Sequence, residues 1–248
     1  MRLSELCEFC DTYLRVGDFD DYCPNGLQVE ANDEVERIVC GVTASQALIE
    51  AAADAGADTL IVHHGYFWKG EAQPIAGIKG RRIRSLIRNN LNLLAFHLPL
   101  DVHPEVGNNV QLAKVMDWRV RDSFGEQGLV FEGSPAGPQS ARELADDINA
   151  RLATKSLLIS GGEHPVERLA WCTGAAQGFI EVAAARGVDA FVSGEVSEQT
   201  FHFAREAGIH FIAAGHHATE RFGVQALVAE IAGRFGVEQR FIDIPNPV

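Results

Sequence analysis

Two stretches of thirty residues decide the fold, because the second is an approximate copy of the first. Residues 35–64 read VERIVCGVTASQALIEAAADAGADTLIVHH, and residues 166–195 read VERLAWCTGAAQGFIEVAAARGVDAFVSGE. They align without gaps at a constant offset of 131 and are identical at eleven of the thirty positions. Each copy has the pattern of a strand, a turn, a helix and a second strand. The sequence therefore predicts a duplicated α/β scaffold.

The rest of the chain continues this alternation of apolar strands and amphipathic helices. Strands are predicted at 38–42, 58–63, 91–96, 168–172, 189–193, 209–214 and 240–244, whereas residues 119–140 look irregular. Strands separated by helices of 10–15 residues are typical of parallel βαβ units. We predict two intertwined, duplicated α/β modules with mostly parallel sheets. The first module is assigned to residues 1–125 plus 219–248, and the second to residues 126–218.

The composition is that of an ordinary globular protein and excludes several functional classes. The chain has 248 residues, of which 46% are hydrophobic and 22% charged, and its net charge is −13. That charge argues against general nucleic-acid binding or an anionic-membrane surface, which require clustered Lys and Arg. No apolar run approaches the roughly 18 residues of a membrane span. Acidic residues near the N-terminus and an odd number of cysteines, five, predict a cytoplasmic protein with reduced thiols.

The two copies differ where their last strands end. The first copy ends in His63-His64 followed by Gly65, and the second ends in Gly194-Glu195. Ligands of α/β proteins bind at the carboxyl ends of strands, so the divergence falls where chemistry is expected. Glu195 is therefore a candidate general base, or an acid that supports a neighbouring ligand.

The similarity between the halves extends to the next predicted strand. Residues 91–97 resemble residues 209–216, and in each case a histidine is followed four residues later by an acid. The first pair is His97 and Asp101, and the second is His216 and Glu220. Because residues at i and i+4 lie on the same face of a helix, His216 and Glu220, at a predicted helix start, are expected to present both side chains on one face.

These positions contain the side chains that bind metals. The predicted metal ligands are His63, His64, Asp101, His216 and Glu220. Mixed imidazole and carboxylate ligands suit Zn²⁺, Fe²⁺, Mn²⁺ or Ni²⁺, and the carboxylates can bridge a pair of ions. Five ligands for two ions leave coordination positions open to water, which is typical of catalytic sites. His97 and Glu195 are the candidate catalytic residues for proton transfer; His103 shares this role with His97, and His217 is an alternative to His216 as a ligand.

Four motifs also resemble those of a known family. They are Asp-x-x-x-x-His-His-Gly at 58–65, His-Leu-Pro-Leu-Asp at 97–101, Ser-Gly-Glu-Val-Ser-Glu-Gln-Thr at 193–200 and Gly-His-His-Ala-Thr-Glu at 215–220. Over essentially the whole chain, the sequence resembles the short bacterial members of the Ngg-interacting-factor-three-like family, commonly called GTP cyclohydrolase I type 2 homologues. The resemblance implies a dinuclear metal site on the five residues named above. It also implies a toroidal homohexamer, built as a trimer of dimers.

Metal-assisted hydrolysis is the leading functional hypothesis. The resemblance implies a purine nucleotide such as GTP as the substrate, with water adding at C8 of the imidazole ring and formate leaving. Two alternatives remain open. A dinuclear site of this composition also suits phosphoester or amide cleavage, and a non-enzymatic metal-binding scaffold or interaction protein would need no substrate at all.

Overall fold

A computed structural model describes residues 1–248 as a mixed α/β protein with two sheets and nine α-helices. The first elements are α1 (Leu3–Tyr13), β1 (Gly26–Val29), β2 (Arg37–Thr43), α2 (Gln46–Asp54), β3 (Thr59–His64), α3 (Gly77–Arg88), β4 (Asn92–Ala95), α4 (Leu98–Val102) and α5 (Asn108–Met116). They are followed by β5 (Arg119–Phe124), β6 (Val130–Ser134), α6 (Ala141–Leu152), β7 (Leu157–Ile159), β8 (Leu169–Cys172), α7 (Ile180–Ala185), β9 (Ala190–Ser193), α8 (Glu198–Ala207), β10 (His210–Ala213), α9 (His216–Phe235) and β11 (Glu238–Phe241).

The chain divides into two compact units. The first unit comprises Met1–Gly107 and Gly223–Pro245, and the second comprises Asn108–Phe222 and Asn246–Val248. The sequence placed the first boundary later, at 125/126. The structure assigns α5 and β5 to the second unit because α5 contributes to that unit's core and β5 pairs with β6. The return to the first unit occurs within α9 at Gly223, whereas the sequence placed it at 219, and Asn246–Val248 belong to the second unit.

The first unit has a five-stranded sheet in the order β1-β4-β3-β2-β11, in which β4, β3, β2 and β11 are parallel and β1 is antiparallel. Helices cover both faces. Ile61 of β3 packs in a cluster with α1 and α9, whereas Leu60 and Val62 pack in a cluster with residues of α2 and α3. Burial on both faces is the reason why β2, β3 and β4 are largely continuous apolar runs, and it made them predictable from the sequence.

The second unit has a six-stranded sheet in the order β5-β6-β8-β9-β10-β7. Its three central strands, β8, β9 and β10, are parallel, as predicted. The remaining pairings are antiparallel and depart from the expectation of a mostly parallel sheet. Strands β5 and β6 lie in the stretch predicted to be irregular, and their short connection permits only antiparallel pairing.

The internal duplication is confirmed by the register of the strands. Ile38 of β2 pairs with Thr59 of β3, and the residues 131 positions later, Leu169 and Ala190, pair in the same way. Several identical residues of the repeat make identical hydrogen bonds. Asp58 Oδ2 accepts from the amides of residues 36 and 37 at 2.8 Å, and Asp189 Oδ2 accepts from those of residues 167 and 168 at 2.9 and 2.7 Å. The identities therefore preserve the scaffold.

Helix α9 is the longest helix, with twenty residues, and it belongs to both units. Its first residues, His216 to Phe222, lie in the second unit. Farther along, Val224, Leu227 and Ile231 are fully buried in the core of the first unit. No helix of the chain combines the length and the apolar composition needed to cross a membrane.

Candidate metal centre

His63 lies at the end of β3 and is completely buried. Its Nδ1 atom is 2.8 Å from the carbonyl oxygen of Phe96. Because a carbonyl only accepts hydrogen bonds, Nδ1 donates this bond, and Nε2 is left as the ring nitrogen available to a ligand. Nε2 lies 3.4 Å from Oδ1 of Asp101, which is itself buried in α4. The ring is thus fixed with its basic nitrogen beside a carboxylate.

His64 is the last residue of β3, and its Nδ1 lies 3.2 Å from Thr43 Oγ1 at the end of the neighbouring strand. Consecutive side chains of a strand point to opposite faces. Here the strand ends and the chain turns at Gly65, and the two imidazole rings are only 4.6 Å apart between centroids. Gly65 has no room for a side chain, because a Cβ would collide with Gln28 and Ala95. The sequence analysis ended this strand at residue 63, one residue before its last residue in the structure, His64.

His97 lies just before α4, with its ring centroid 5.1 Å from that of His63 and 5.8 Å from that of His64. Its Nδ1 is 2.7 Å from Oδ1 of Asp21. Burial alone would raise the pKa of Asp21. The hydrogen bond and charge of His97, helped by Asn25 and the Leu98 amide, outweigh burial and lower that pKa to about 2. Asp21 is therefore an ionised carboxylate that orients His97, a role that the sequence analysis missed.

The first unit therefore brings together the predicted ligands His63, His64 and Asp101 with the predicted catalytic residue His97. One ligand atom from each of the three histidines lies within 4.8 Å of the others. The fourth histidine considered, His103, is held by backbone groups instead: its Nδ1 accepts from the Glu105 and Val106 amides, and its Nε2 donates to Tyr13 O at 3.0 Å. His103 is thus a structural residue.

The second unit brings together His216, Glu220 and Glu195. Helix α9 begins at His216, so His216 and Glu220 lie one turn apart on the same face, as predicted, with Nε2 and Oε2 at 3.2 Å. His216 Nδ1 donates to Glu195 Oε1 at 2.7 Å. Burial alone would lower the pKa of His216, but the hydrogen bonds and charges of Glu220 and Glu195 outweigh it and raise the pKa to about 9. A cation at Nε2 would replace the proton held there.

The packing of α9 explains why the second copy ends in Gly194 at the position where the first copy has His63. A Cβ on Gly194 would lie 2.6 Å from Gly174 O and 2.7 Å from the Cα of His216, so the start of α9 packs against this glycine. The histidine–acid pairs have diverged as well. His216 lies beside its own acid, Glu220, whereas His97 binds Asp21 and leaves Asp101 to His63.

The donor sets fit divalent metal ions. Two ligand atoms bound to one ion at about 2.1 Å are about 3.0–3.4 Å apart at octahedral or tetrahedral angles, and the two imidazole–carboxylate separations fall in this range. Metal-binding histidines also donate their second ring N–H to a carbonyl or carboxylate, as His63 and His216 do.

Comparison with known proteins identifies the family. The model of the family described as Duf34/NIF3 (NGG1p interacting factor 3) matches residues 1–247. The chain belongs to this family. The resemblance seen in the sequence motifs is thereby confirmed over nearly the whole length of the protein.

Relatives of this Duf34/NIF3 protein are found in bacteria. A protein of Pseudomonas aeruginosa is 54% identical over 248 residues, covering 99% of this chain and 98% of the relative. A protein of Escherichia coli K12 is 51% identical, covering 100% of both. Both are called GTP cyclohydrolase 1 type 2 homolog, a name that states similarity to an enzyme.

Solved structures of Duf34/NIF3 proteins have the same fold. That of protein ybgI, described as of unknown function, is 51% identical and superposes with a TM-score of 0.97 over 100% of both chains. A structure from Thermus thermophilus is 36% identical, with a TM-score of 0.89 over 100% of both chains. The mixed α/β fold is thus shared by this chain and these two proteins.

Proposed function

We propose that this Duf34/NIF3 protein is a hydrolase that uses two divalent metal ions. The proposed ligands are His63, His64, Asp101, His216 and Glu220. The mixed imidazole and carboxylate donors are compatible with Zn²⁺, Fe²⁺, Mn²⁺ or Ni²⁺.

The proposal is carried by one observation, the way in which two histidines in separate units are held. His63 and His216 each use Nδ1 to donate a short hydrogen bond, to Phe96 O and to Glu195, and each place Nε2 within 3.4 Å of a carboxylate. A histidine with a purely structural role needs no carboxylate beside its basic nitrogen. The buried carboxylates Asp101 and Glu220 supply the negative charge that a cation requires.

Divalent ions at this site would supply Lewis acidity and lower the pKa of a coordinated water. The protein's own contribution is proton transfer and orientation. Asp21 holds Nδ1 of His97, so Nε2 of His97 is the nitrogen that would exchange a proton with the substrate. Glu195 holds His216 through Nδ1, which favours an orienting role for this residue.

A purine nucleotide such as GTP is the proposed substrate, supported by the name that the relatives carry. The reaction would consume two water molecules. The first adds to C8 and opens the imidazole ring, and the second releases C8 as formate. His97 would protonate the departing ring nitrogen.

Metal content tests the ligand assignment. The full-length protein is reconstituted with each of the four metals, and the bound metal is counted by mass spectrometry. We expect His64→Ala and Glu220→Ala to lose at least one ion per chain while the circular dichroism spectrum is unchanged. His202→Ala is the control, because His202 is an exposed histidine that pairs with Glu198 at 3.1 Å. Wild-type metal content in both ligand variants would refute the assignment.

Turnover tests the reaction. Each metal-loaded form is incubated with GTP and a panel of nucleotides, phosphoesters and amides, and formate, phosphate and amine are measured. Formate release supports the proposal. Phosphate or amine without formate would replace it with phosphoester or amide hydrolysis. Stoichiometric metal without any product would favour a metal-binding scaffold or interaction protein.

The quaternary structure is a separate proposal, based on the family resemblance. We propose a homohexamer, arranged as a trimer of dimers, of the 26.9 kDa chain. Light scattering coupled to size exclusion would show six chains per particle, and a monomer or dimer at micromolar concentration would contradict it.

A further inference from the structure

Gly174 follows β8 and is held rigidly by the elements around it. Its amide donates to Thr219 Oγ1 at 3.1 Å. Its carbonyl accepts from the Gly194 amide at 2.8 Å and from Ser193 Oγ at 3.1 Å. The loop therefore cannot withdraw from α9 without breaking buried hydrogen bonds. Its φ angle of +68° lies in the left-handed region that favours glycine.

The space where a side chain would stand at Gly174 is filled by the two candidate ligands of the second unit. A Cβ there would collide with Glu220 Oε1 and lie 3.2 Å from His216 Nε2. The other carboxylate oxygen of Glu220, Oε2, faces His216. Glu220 is only 3% exposed, so its carboxylate could avoid an added methyl group only by leaving its present position.

At the equivalent position of the internal repeat, the first unit has a side chain where the second unit has a glycine. Gly174 aligns with Thr43 at the offset of 131. The Thr43 hydroxyl lies 3.2 Å from His64 Nδ1, so at this position the first unit uses a side chain to hold a ligand. In the second unit the absence of a side chain makes room for the ligands.

We propose that Gly174 is a positioning residue that sets where the Glu220 carboxylate and the His216 imidazole stand. The inference rests on the proposed metal-binding function. Because the colliding atom is the end of a flexible side chain, a methyl group at Gly174 displaces the carboxylate and leaves the fold in place. Changes around the ligands of a metal typically reduce its affinity about 10- to 100-fold, and we expect a loss of this size.

The experiment compares Gly174→Ala with Gly187→Ala in the full-length protein. Gly187 is a matched control because it lies in the same unit and has a φ of +71°, while the nearest atom to its Cβ is Arg168 Nη1 at 3.5 Å. Both variants place an alanine at a left-handed backbone position, which costs a similar conformational energy. Only Gly174→Ala places a methyl group among the candidate ligands. Zn²⁺ and Mn²⁺ affinities are measured by competition with a chelator, and metal-free melting temperatures are measured in parallel.

We expect the two variants to have similar melting temperatures, with the loss of metal affinity confined to Gly174→Ala. Equal metal affinities in the two variants would overturn the role of Gly174. Failure of the wild-type protein to bind metal would instead refute the proposed function. In that case a crystal structure of metal-free Gly174→Ala decides the role of Gly174: a displaced Glu220 carboxylate supports it, and an unmoved carboxylate overturns it.

Discussion

Replacing Glu195 with glutamine would separate the two roles open to this residue, orientation of His216 and proton transfer. Glu195 Oε1 accepts a 2.7 Å hydrogen bond from His216 Nδ1, and the two side chains are 34% and 25% exposed. Glutamine keeps an acceptor oxygen at nearly the same place and removes only the negative charge. If Glu195 orients His216 and strengthens it as a ligand, the affinity for metal falls.

The magnitude follows from the loss of charge. A hydrogen bond to a charged group contributes about 1.5–3 kcal/mol, against about 0.5–1.5 kcal/mol for a neutral one. Partial exposure screens the difference to about 1 kcal/mol, or about 5-fold in the dissociation constant. Glu195 also stabilises the proton that a metal must displace from His216. Removing its charge makes that displacement easier, which offsets part of the loss of metal affinity. Because a divalent ion carries twice the charge of a proton, removing the negative charge still weakens metal binding more than proton binding.

The assay is a metal titration in competition with a chromophoric chelator, at low ionic strength and near neutral pH. Glu198→Gln is the matched control, because it removes the same charge from an exposed pair with His202 in the same unit. An unchanged metal affinity in Glu195→Gln, or an equal loss in the control, would refute the orienting role. If affinity stays the same while turnover falls, Glu195 acts in proton transfer.

Two further predictions concern stability. A Cβ on Gly133 would collide with the Arg119 carbonyl in the neighbouring strand, so Gly133→Ala should cost about 2 kcal/mol or more in urea unfolding, whereas Gly137→Ala, with no atom within 4 Å, should be neutral. Burial lowers the pKa of His103, so the folded state binds fewer protons than the unfolded state. The contribution of His103 to the free energy of unfolding is therefore complete above its unfolded-state pKa of about 6.5, and it is lost as the pH falls below that value. We expect the melting temperature of the metal-free wild type to fall more than that of His103→Asn between about pH 7.5 and about pH 5.5, and equal slopes would contradict this.

The strands that the sequence predicted and those it missed differ in one physical respect. All seven predicted strands pair in parallel, and six of them, all but the polar and exposed β11, are mostly buried on both faces and apolar. The four missed strands, β1, β5, β6 and β7, are those that make only antiparallel pairings. Arg119–Phe124 is almost entirely exposed and Leu157–Ile159 has three residues, so neither has an apolar pattern of useful length.

The candidate site also contains residues that the sequence predicted and residues that it missed. Some of its titratable residues were found because they follow strands where the two copies diverge, and the others because both halves carry a histidine followed four residues later by an acid. Asp21 was missed because it lies in an irregular loop whose contact with His97 spans 76 residues. The carbonyl of Phe96 was missed because backbone groups carry no sequence signal. The substitution of Thr43 by Gly174 was visible in the alignment of the repeats, but its meaning depends on atoms brought close by the fold.

The interruption of one unit by the other sets an order for folding during synthesis. Residues 108–222 leave the ribosome as a nearly complete second unit. The first unit still lacks β11, which pairs with β2, and the buried leucine and valine residues of α9. The first hundred residues of the sequence must therefore wait, with an unpaired strand edge and an uncovered apolar surface, until α9 and β11 have been synthesised. A chaperone that shields nascent β-strands would protect this half of the protein in particular.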